Sequence, residues 1–192
     1  DVYVRIIDYK TGKKDFNIVK TYYGIDIQLM VYMEAAMKLV AKMRPGKNVI
    51  PAGVFYYNIS DPIVSATTES AEEIEDKIKG ELRLKGMVNS DKDIAEKMDN
   101  TEGTSLNIPV SRKADGGFDS RRSKVMNTEQ FNILGRFVDV RAIDTADRIA
   151  GGDIRRSPYK DGQFSSCDRC PYGAVCLSLI HISEPTRPLY IS

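Results

Sequence analysis

The stretch that decides the fold is Val-Tyr-Val-Arg-Ile-Ile-Asp-Tyr-Lys, residues 2–10. Its side chains alternate between two faces that are both rich in apolar residues, which is typical of a strand inside a covered sheet. Asp8 and Lys10 come at the end of this strand and leave the same face, because they are two positions apart. The pattern therefore predicts a strand that carries a carboxylate beside an ammonium group at its carboxyl end.

A helix and a second strand are predicted further along the chain. Thr11-Gly12-Lys13 predicts a turn, and residues 16–20 predict a short return strand. The helix begins with Asp26 as its N-cap and ends at Met43, before Pro45-Gly46. Its apolar stripe consists of Leu29, Met33, Ala36, Met37 and Val40. With a second strand over residues 51–59, the order of strand, helix and strand indicates a βαβ-like unit and the α/β class.

The rest of the chain predicts mostly helix and loop. An acidic helix is predicted over residues 72–84, and one strand over residues 105–110. A long helix is predicted over residues 128–150, with Thr128 as its cap and Gly151-Gly152 at its end. The apolar side of this long helix consists of Phe131, Leu134, Phe137, Val138, Val140 and Ile143. Residues 157–176 are expected to be irregular.

Composition excludes several classes of protein. The 192 residues are 42% hydrophobic and 29% charged, with a formal net charge of +1, which excludes a wholly disordered or collagen-like chain. The longest apolar run covers residues 29–33, whereas a membrane span needs about 20 residues, so no membrane association is expected. Three cysteines cannot close a disulfide framework and favour a reducing compartment, the cytoplasm. The single histidine excludes catalytic schemes that need two.

The near-neutral total conceals regions of opposite charge. Basic stretches cover residues 5–20, 112–124 and 148–160, and residues 69–81 form an acidic counterweight. Basic stretches of this kind can follow the phosphate backbone of a nucleic acid. They can equally be solvated surface, so they indicate nucleic-acid binding only where they border a functional site.

The Asp8–Lys10 pair carries the first chemical hypothesis. The carboxylate can hold Mg²⁺, and the ammonium can orient the attacking water and offset developing charge in phosphodiester hydrolysis. The alternative is a surface ion pair. Gln28 and Tyr32 lie four residues apart on one helix face, where an amide and a hydroxyl suit a metal-bound water or a phosphate. The alternative there is a core tyrosine and a polar residue at a helix start.

Two segments together carry a resemblance to a known family. They are Ile6-Ile7-Asp8-Tyr9-Lys10-Thr11-Gly12 and Tyr23-Gly24-Ile25-Asp26-Ile27-Gln28-Leu29-Met30-Val31-Tyr32. This pair resembles the RecB-family nuclease domain of the PD-(D/E)xK superfamily. The resemblance implies a restriction-endonuclease-like mixed sheet flanked by helices.

The resemblance also implies roles for four residues. Asp8 matches a ligand of Mg²⁺, and Lys10 matches the catalytic lysine. Gln28 and Tyr32 match the helix motif beside the site. A further family carboxylate would precede Asp1, so we expect a domain truncated at its N-terminus with an incomplete metal site.

A cysteine cluster closes the chain. Cys167, Cys170 and Cys176 have the spacing C-x₂-C-x₅-C, and three thiolates this close favour a metal over a disulfide. Zinc and iron–sulfur are both open, since His181 would complete a zinc-like C-x₂-C-x₅-C-x₄-H pattern. Residues 177–192, however, resemble translated sequencing-library adapter, and we expect them to be a non-native tail.

The cysteine spacing extends the resemblance over residues 1–176, to the B-subunit family of AddAB-type ATP-dependent helicase–deoxyribonucleases. Four further blocks, at residues 51–56, 84–88, 128–131 and 152–154, also look similar. The resemblance implies that the three cysteines and a fourth one upstream hold a [4Fe–4S] cluster. It further implies DNA and the A subunit, as the second half of a heterodimer, as partners. The expected organisation is a nuclease core over 1–60, a helical extension over 70–150 and an iron–sulfur segment over 157–176.

The implied function is Mg²⁺-dependent DNA hydrolysis within a protein that processes double-strand DNA ends for recombinational repair. The fragment alone is expected to be inactive. ATP hydrolysis cannot be located, because the chain lacks G-x-x-x-x-G-K-[ST]. Two other functions remain open at this point. One is a non-catalytic DNA-binding module with a structural zinc or iron–sulfur site, and the other is a zinc-binding regulatory domain.

Overall fold

A computed structural model describes residues 1–59, 70–162 and 164–176 of the chain. These residues divide into two units, Asp1–Thr145 and a second one that begins at Ala146. The elements of the first unit are β1 (Val2–Lys10), α1 (Ile18–Tyr22), α2 (Gln28–Met43), β2 (Val49–Asn58), α3 (Ala71–Leu82), β3 (Lys85–Asn89), α4 (Lys92–Met98), β4 (Val125–Met126) and most of α5 (Thr128–Ala150). His181 and the expected non-native tail lie outside the described residues.

The first unit contains a mixed four-stranded sheet in the order β1-β2-β3-β4. β1 and β2 are parallel and are joined through α2, which confirms the predicted βαβ-like unit. β3 runs antiparallel to β2, and β4 runs parallel to β3. The register between β1 and β2 shifts after Val4, opposite Pro51, where a proline cannot donate a ladder hydrogen bond.

Apolar residues cover both faces of this sheet. On one face, Leu29, Met30 and Met33 of α2 pack with Phe131 and Val138 of α5 over the strands. On the other face, Phe55 and Val88 of the sheet are covered by Ala95 of α4 and by Ile108 and Val110 of a loop. The sheet is therefore buried on both sides, as the apolar pattern of residues 2–10 predicts.

The helix α2 begins at Gln28, and the prediction that Asp26 caps it is wrong. Ile27 occupies the N-cap position and makes no side-chain capping hydrogen bond. The Asp26 carboxylate instead accepts a hydrogen bond from the hydroxyl of Tyr56, on the neighbouring strand β2. Asp26, which the local sequence pattern predicts as the cap of the helix, is therefore engaged in a tertiary contact with β2.

Two predicted strands are also wrong. Residues Ile18–Tyr22 form the short helix α1, because the side chain of Asn17 accepts a hydrogen bond from the Lys20 N–H and caps it. The segment 105–110 is irregular, and Ser105 there accepts hydrogen bonds from the N–H groups of Asn107 and Ile108. The third and fourth strands of the sheet lie instead at β3 and β4.

The long helix α5 has the predicted bounds, but only part of its predicted apolar side is buried. Phe131 and Val138 are buried, whereas Val140 and Ile143 are 67% and 62% exposed. At about 100° per residue, Val140 lies on the opposite side of the helix from Phe131. Thr128 is not the cap either, since Asn127 and Gln130 exchange backbone-to-side-chain hydrogen bonds at the helix start.

The second unit holds a small hairpin and the cysteine segment. Its elements are the end of α5, β5 (Lys160–Asp161), β6 (Phe164–Ser165), a 3₁₀ helix (Ser166–Arg169) and α6 (Gly173–Cys176). β5 and β6 pair antiparallel. Within the described part of the chain, no helix is long and apolar enough to cross a membrane.

Candidate active site

The carboxyl end of β1 positions the two residues on which the site depends. Asp8 pairs in register with Tyr56 of β2, and Lys10 pairs with Asn58. Asp8 and Lys10 share a face of the strand, and their side chains form an ion pair of 2.7 Å. Their exposed fractions are only 18% and 26%, so the pair is partly buried rather than the surface ion pair that the sequence left open.

Gln28 joins Lys10 at the first residue of α2. The Lys10 ammonium donates a hydrogen bond of 2.8 Å to Oε1 of Gln28. Lysine can only donate, so the carbonyl side of the amide must face it. The amide nitrogen of Gln28 consequently points the other way and donates to the Tyr32 hydroxyl at 2.8 Å. The four residues that the sequence singled out thus form one continuous chain of contacts.

Tyr32 lies at the rim of this chain rather than in the core. It is one helical turn after Gln28 on α2, and 45% of it is exposed. Its hydroxyl still has a lone pair and a proton available toward solvent. A ligand that approaches Lys10 can therefore meet the tyrosine hydroxyl on the same side of the helix.

Sequence reasoning missed a second layer behind these residues. Tyr56 is fully buried on β2, and its hydroxyl donates a hydrogen bond of 2.6 Å to Asp26. The Lys14 ammonium lies 2.9 Å from the same Asp26 oxygen. The ring centroid of Tyr56 is 5.6 Å from the Lys10 ammonium and 4.9 Å from that of Lys14, both within cation–π range.

Burial, followed by the hydrogen bond to Asp26, raises the pKa of Tyr56 well above its ordinary value. The charges of Asp26 and Asp8 act in the same direction. Tyr56 is therefore a neutral hydroxyl donor at physiological pH. The sequence signal that could have indicated this layer is the hydroxyl of Tyr56, a polar group among the apolar residues of β2.

Asn58 positions the loop that carries Lys14. Its side-chain oxygen accepts a hydrogen bond of 3.0 Å from the Lys14 N–H, and its amide nitrogen donates one of 3.1 Å to the Lys14 carbonyl. This reciprocal pair imitates a strand ladder and holds the loop against the end of β2. The Lys14 side chain is thereby directed toward Asp26.

The Asp8 carboxylate has the character of a metal ligand. Its Oδ2 atom is buried and accepts no hydrogen bond of normal geometry from the described residues, although the Lys10 ammonium lies 2.7 Å away as an ion-pair partner. A buried carboxylate oxygen with unused lone pairs suits a hard divalent cation such as Mg²⁺. Asp8 therefore fits one position of a metal site.

The cysteines lie on two successive turns of the second unit. The Cys170 N–H donates to the Cys167 carbonyl at 3.1 Å, and the Cys176 N–H donates to the Tyr172 carbonyl at 2.8 Å. Arg156 donates a hydrogen bond of 3.0 Å to the Cys176 carbonyl and holds the end of α6. Across residues 1–59, 70–162 and 164–176, no group of three or more His, Cys, Asp or Glu side chains is arranged to hold a metal ion.

Comparison with known proteins identifies the family. The family model of the PD-(D/E)XK nuclease superfamily matches residues 1–177. The chain therefore belongs to the PD-(D/E)XK nuclease superfamily. The mixed sheet of four strands flanked by helices confirms the predicted restriction-endonuclease-like α/β fold.

Three relatives are much longer proteins, and each is named as the B-subunit of an ATP-dependent helicase/deoxyribonuclease. The chain is 40% identical over 176 residues to the protein of Clostridium botulinum strain Hall and 38% identical over 176 residues to that of Thermoanaerobacter sp. strain X514. It is 40% identical over 178 residues to that of Caldanaerobacter subterraneus subsp. tengcongensis. These alignments cover 91%, 91% and 92% of this chain, but the chain spans only 15% of the length of each relative.

Proposed function

We propose that this chain is the nuclease domain of a helicase–nuclease subunit and hydrolyses DNA phosphodiesters with the help of a divalent cation. The observation that carries the proposal is the contact chain Asp8–Lys10–Gln28–Tyr32 at the carboxyl end of β1. Each member is within hydrogen-bond distance of the next. The membership of the chain in a nuclease superfamily supports the same reaction.

Lys10 supplies fixed positive charge to the reaction. Its ammonium is held between Asp8 and Gln28 at 2.7 Å and 2.8 Å, so little reorganisation is needed when negative charge grows on a phosphate oxygen. One of its three protons remains for a phosphate oxygen or for the attacking water. Gln28 acts as a positioning residue, because it orients Lys10, and Tyr32 holds the amide of Gln28.

Asp8 is the residue that would hold the cation, which we take to be Mg²⁺. When bound, such an ion polarises the phosphate and lowers the pKa of a bound water. The buried Oδ2 of Asp8, which faces the Lys10 ammonium at 2.7 Å but accepts no hydrogen bond of normal geometry from the described residues, supports this assignment. Asp26 is the other carboxylate of the candidate site among the described residues, and it is already bound by Tyr56 and Lys14.

The test is Lys10→Ala in the full-length protein, assembled with its partner and with any partner nuclease inactivated. Loss of one preorganised charge of this kind should lower strand cleavage by about 10²–10³-fold. Lys47→Ala is the matched control, since Lys47 is exposed in the turn before β2, at the opposite end of the strand. Cleavage by Lys10→Ala at the rate of the control would favour the non-catalytic DNA-binding module instead.

The wider role rests on the relatives. Because those proteins are named as subunits of a helicase/deoxyribonuclease, we propose DNA as the substrate and an A subunit as the partner. Processing of double-strand ends for recombinational repair in the cytoplasm is the proposed setting. Co-purification of the full-length protein with a single helicase partner, in equal amounts, would be the expected result.

We also propose that Cys167, Cys170 and Cys176 bind an iron–sulfur cluster together with a fourth cysteine outside the chain. The C-x₂-C-x₅-C spacing of the three cysteines in the sequence supports a cluster site. Anaerobically purified full-length protein should be brown, with visible absorption that disappears in the Cys170→Ser variant. A colourless protein with stoichiometric zinc would contradict the proposal.

A further inference from the structure

A cavity of about 410 Å³ opens in the first unit beside the candidate active site. Its walls come from the loop after β1, the end of β2, the stretch from the end of α3 to the start of β3, Pro109 and the loop before β4. Two of the basic stretches of the sequence, 5–20 and 112–124, meet here. Asn58, which pairs in register with Lys10, is also part of the lining.

The lining of this cavity is strongly basic. Six basic side chains face two acidic ones, Asp15 and Glu81. The basic residues are Lys13, Lys14, Arg83, Lys85, Arg122 and Lys124. This excess of positive charge around one concave space concentrates the potential and favours an anionic ligand.

Four of the six basic residues already have partners. Lys14 pairs with Asp26 at 2.9 Å, and Lys124 pairs with Asp15. The Arg83 guanidinium donates to the carbonyls of Ile108 and Val110 at 2.7 Å and 3.0 Å. The Lys85 ammonium makes only a long contact of 3.5 Å, with the Gly80 carbonyl.

Lys13 and Arg122 are different. Both are exposed, and neither side chain makes a hydrogen bond or an ion pair with any residue in the part of the chain that the structure describes. They lie on opposite segments of the lining, one after β1 and the other before β4. Their charges are therefore available to a ligand, whereas Lys14, Lys124 and Arg83 are held by contacts within the protein.

The strand register relates the cavity to the Asp8–Lys10 pair. Lys85 pairs with Tyr56, and Tyr56 pairs with Asp8, so the three residues lie side by side on adjacent strands. Two strand spacings amount to about 10 Å. The wall of the cavity at Lys85 therefore lies close to the carboxyl end of β1, within reach of a DNA strand that is cleaved at the Asp8–Lys10 pair.

We infer that this basic cavity binds one or two backbone phosphates of a single DNA strand, beside the phosphodiester that is cleaved, with Lys13 and Arg122 as the contacting cations. The inference rests on the proposed function. The cavity is too small for a base pair with its two backbones but accommodates a phosphate and its sugar. The DNA strand would thus be positioned at the site by charge and not by base sequence.

The experiment uses the full-length protein with its partner and follows cleavage of a single-stranded oligonucleotide as a function of salt. The variant is Lys13→Ala/Arg122→Ala. The matched control is Arg44→Ala/Lys47→Ala, which also removes one exposed Arg and one exposed Lys but at the opposite end of β2. Lys13→Arg/Arg122→Lys keeps the charges and tests for rescue.

We expect the double variant to lose about 10- to 100-fold in kcat/KM at low salt, with a salt slope smaller by about 1.4, or 0.7 for each lost phosphate contact. The difference should shrink at high salt, which a folding defect would not produce. The control and the charge-preserving variant should stay within about threefold of the wild type.

The outcomes separate this inference from the proposed function. If Lys10→Ala abolishes cleavage but the cavity variant matches its control at every salt concentration, the cavity inference is wrong and the nuclease assignment stands. If cleavage survives in Lys10→Ala, the nuclease assignment itself fails. Equal losses in the cavity variant at low and high salt would also overturn the inference, because lost phosphate contacts must depend on salt.

Discussion

At the scale of single residues, Tyr56 connects the two layers of the candidate site. It is fully buried on β2, where its hydroxyl reaches Asp26 and its ring lies near the ammonium groups of Lys10 and Lys14. Asp26 is itself only 6% exposed and needs this donor, because a buried carboxylate without hydrogen bonds is costly. Tyr56 therefore stabilises the layer that supports the Asp8–Lys10 pair.

Tyr56→Phe should lower the free energy of unfolding by about 1–3 kcal/mol. The substitution keeps the packed ring but leaves Asp26 with Lys14 as its remaining charged partner. Chemical denaturation of wild type and variant measures the difference. Tyr57→Phe is the control, since the hydroxyl of the next residue makes no hydrogen bond among the described residues, and it should change stability by less than about 0.5 kcal/mol. Equal effects of the two substitutions would contradict the role given to Tyr56.

At the scale of elements, β3 depends on a glycine. A Cβ atom at Gly86 would lie 1.9 Å from the Val54 carbonyl oxygen and 2.9 Å from the Phe55 Cα atom. Those are backbone atoms of β2, which cannot move aside without breaking the ladder. Glycine is disfavoured in strands, and residues 85–89 show no clean alternation of apolar and polar side chains. For these two reasons the sequence pattern does not predict β3, although β3 is the third strand of the sheet.

Gly86→Ala should therefore destabilise the first unit by about 2–3 kcal/mol, as overpacking against a fixed backbone does. Gly80→Ala makes the same chemical change inside helix α3, where a Cβ atom meets nothing within 4 Å. That variant should gain about 0.5–1 kcal/mol, because alanine favours a helix. Thermal unfolding of both variants measures the contrast. A stabilised Gly86→Ala protein would show that β3 does not approach β2 this closely.

At the scale of the whole first unit, one face of the sheet is covered by a loop that Asp99 organises. Its carboxylate accepts hydrogen bonds from the Ser105 hydroxyl at 2.6 Å, the Thr101 N–H at 2.8 Å and the Asn107 amide at 2.9 Å. These bonds bring Ile108 and Val110 of the same loop into the core. Burial alone would raise the pKa of Asp99, but the donors from Ser105, Thr101 and Asn107 outweigh it and lower the pKa to about 2.

The stability of this unit should consequently fall in acid. A carboxylate with a depressed pKa stabilises the fold fully above its ordinary pKa near 3.8, and the contribution disappears as the pH falls toward about 2. The loss amounts to about 2 kcal/mol for Asp99. Urea unfolding at pH 6 and at pH 2.5 measures it. Asp99→Asn should be less stable at pH 6 and should lack this part of the acid sensitivity, and an unchanged pH profile in that variant would disprove the assignment.

How much of this could be predicted depends on whether the signal is local. The strand over residues 2–10, the helix up to Met43, the bounds of α5 and the separate pairs Asp8–Lys10 and Gln28–Tyr32 follow from short-range patterns. That the two pairs belong to one site was implied only by the resemblance, and the contact that joins them, from Lys10 to Gln28, is tertiary. Spacing along one strand or one helix face determines which side chains emerge together, whatever the rest of the chain does. The sequence by itself therefore determined the class of the fold and the two pairs of residues that make up the first layer of the candidate site.

Only the tertiary structure decided the rest. Asp26 accepts a hydrogen bond from Tyr56 instead of capping a helix. Gly86 lets β3 approach the backbone of β2, although the sequence of β3 shows no strand pattern. Two basic stretches that are far apart in sequence meet around one cavity. Each of these depends on segments that become neighbours only after the sheet has formed. Burial then makes a long-range hydrogen bond or a close backbone approach more important than local propensity, and no pattern within a single segment contains that information.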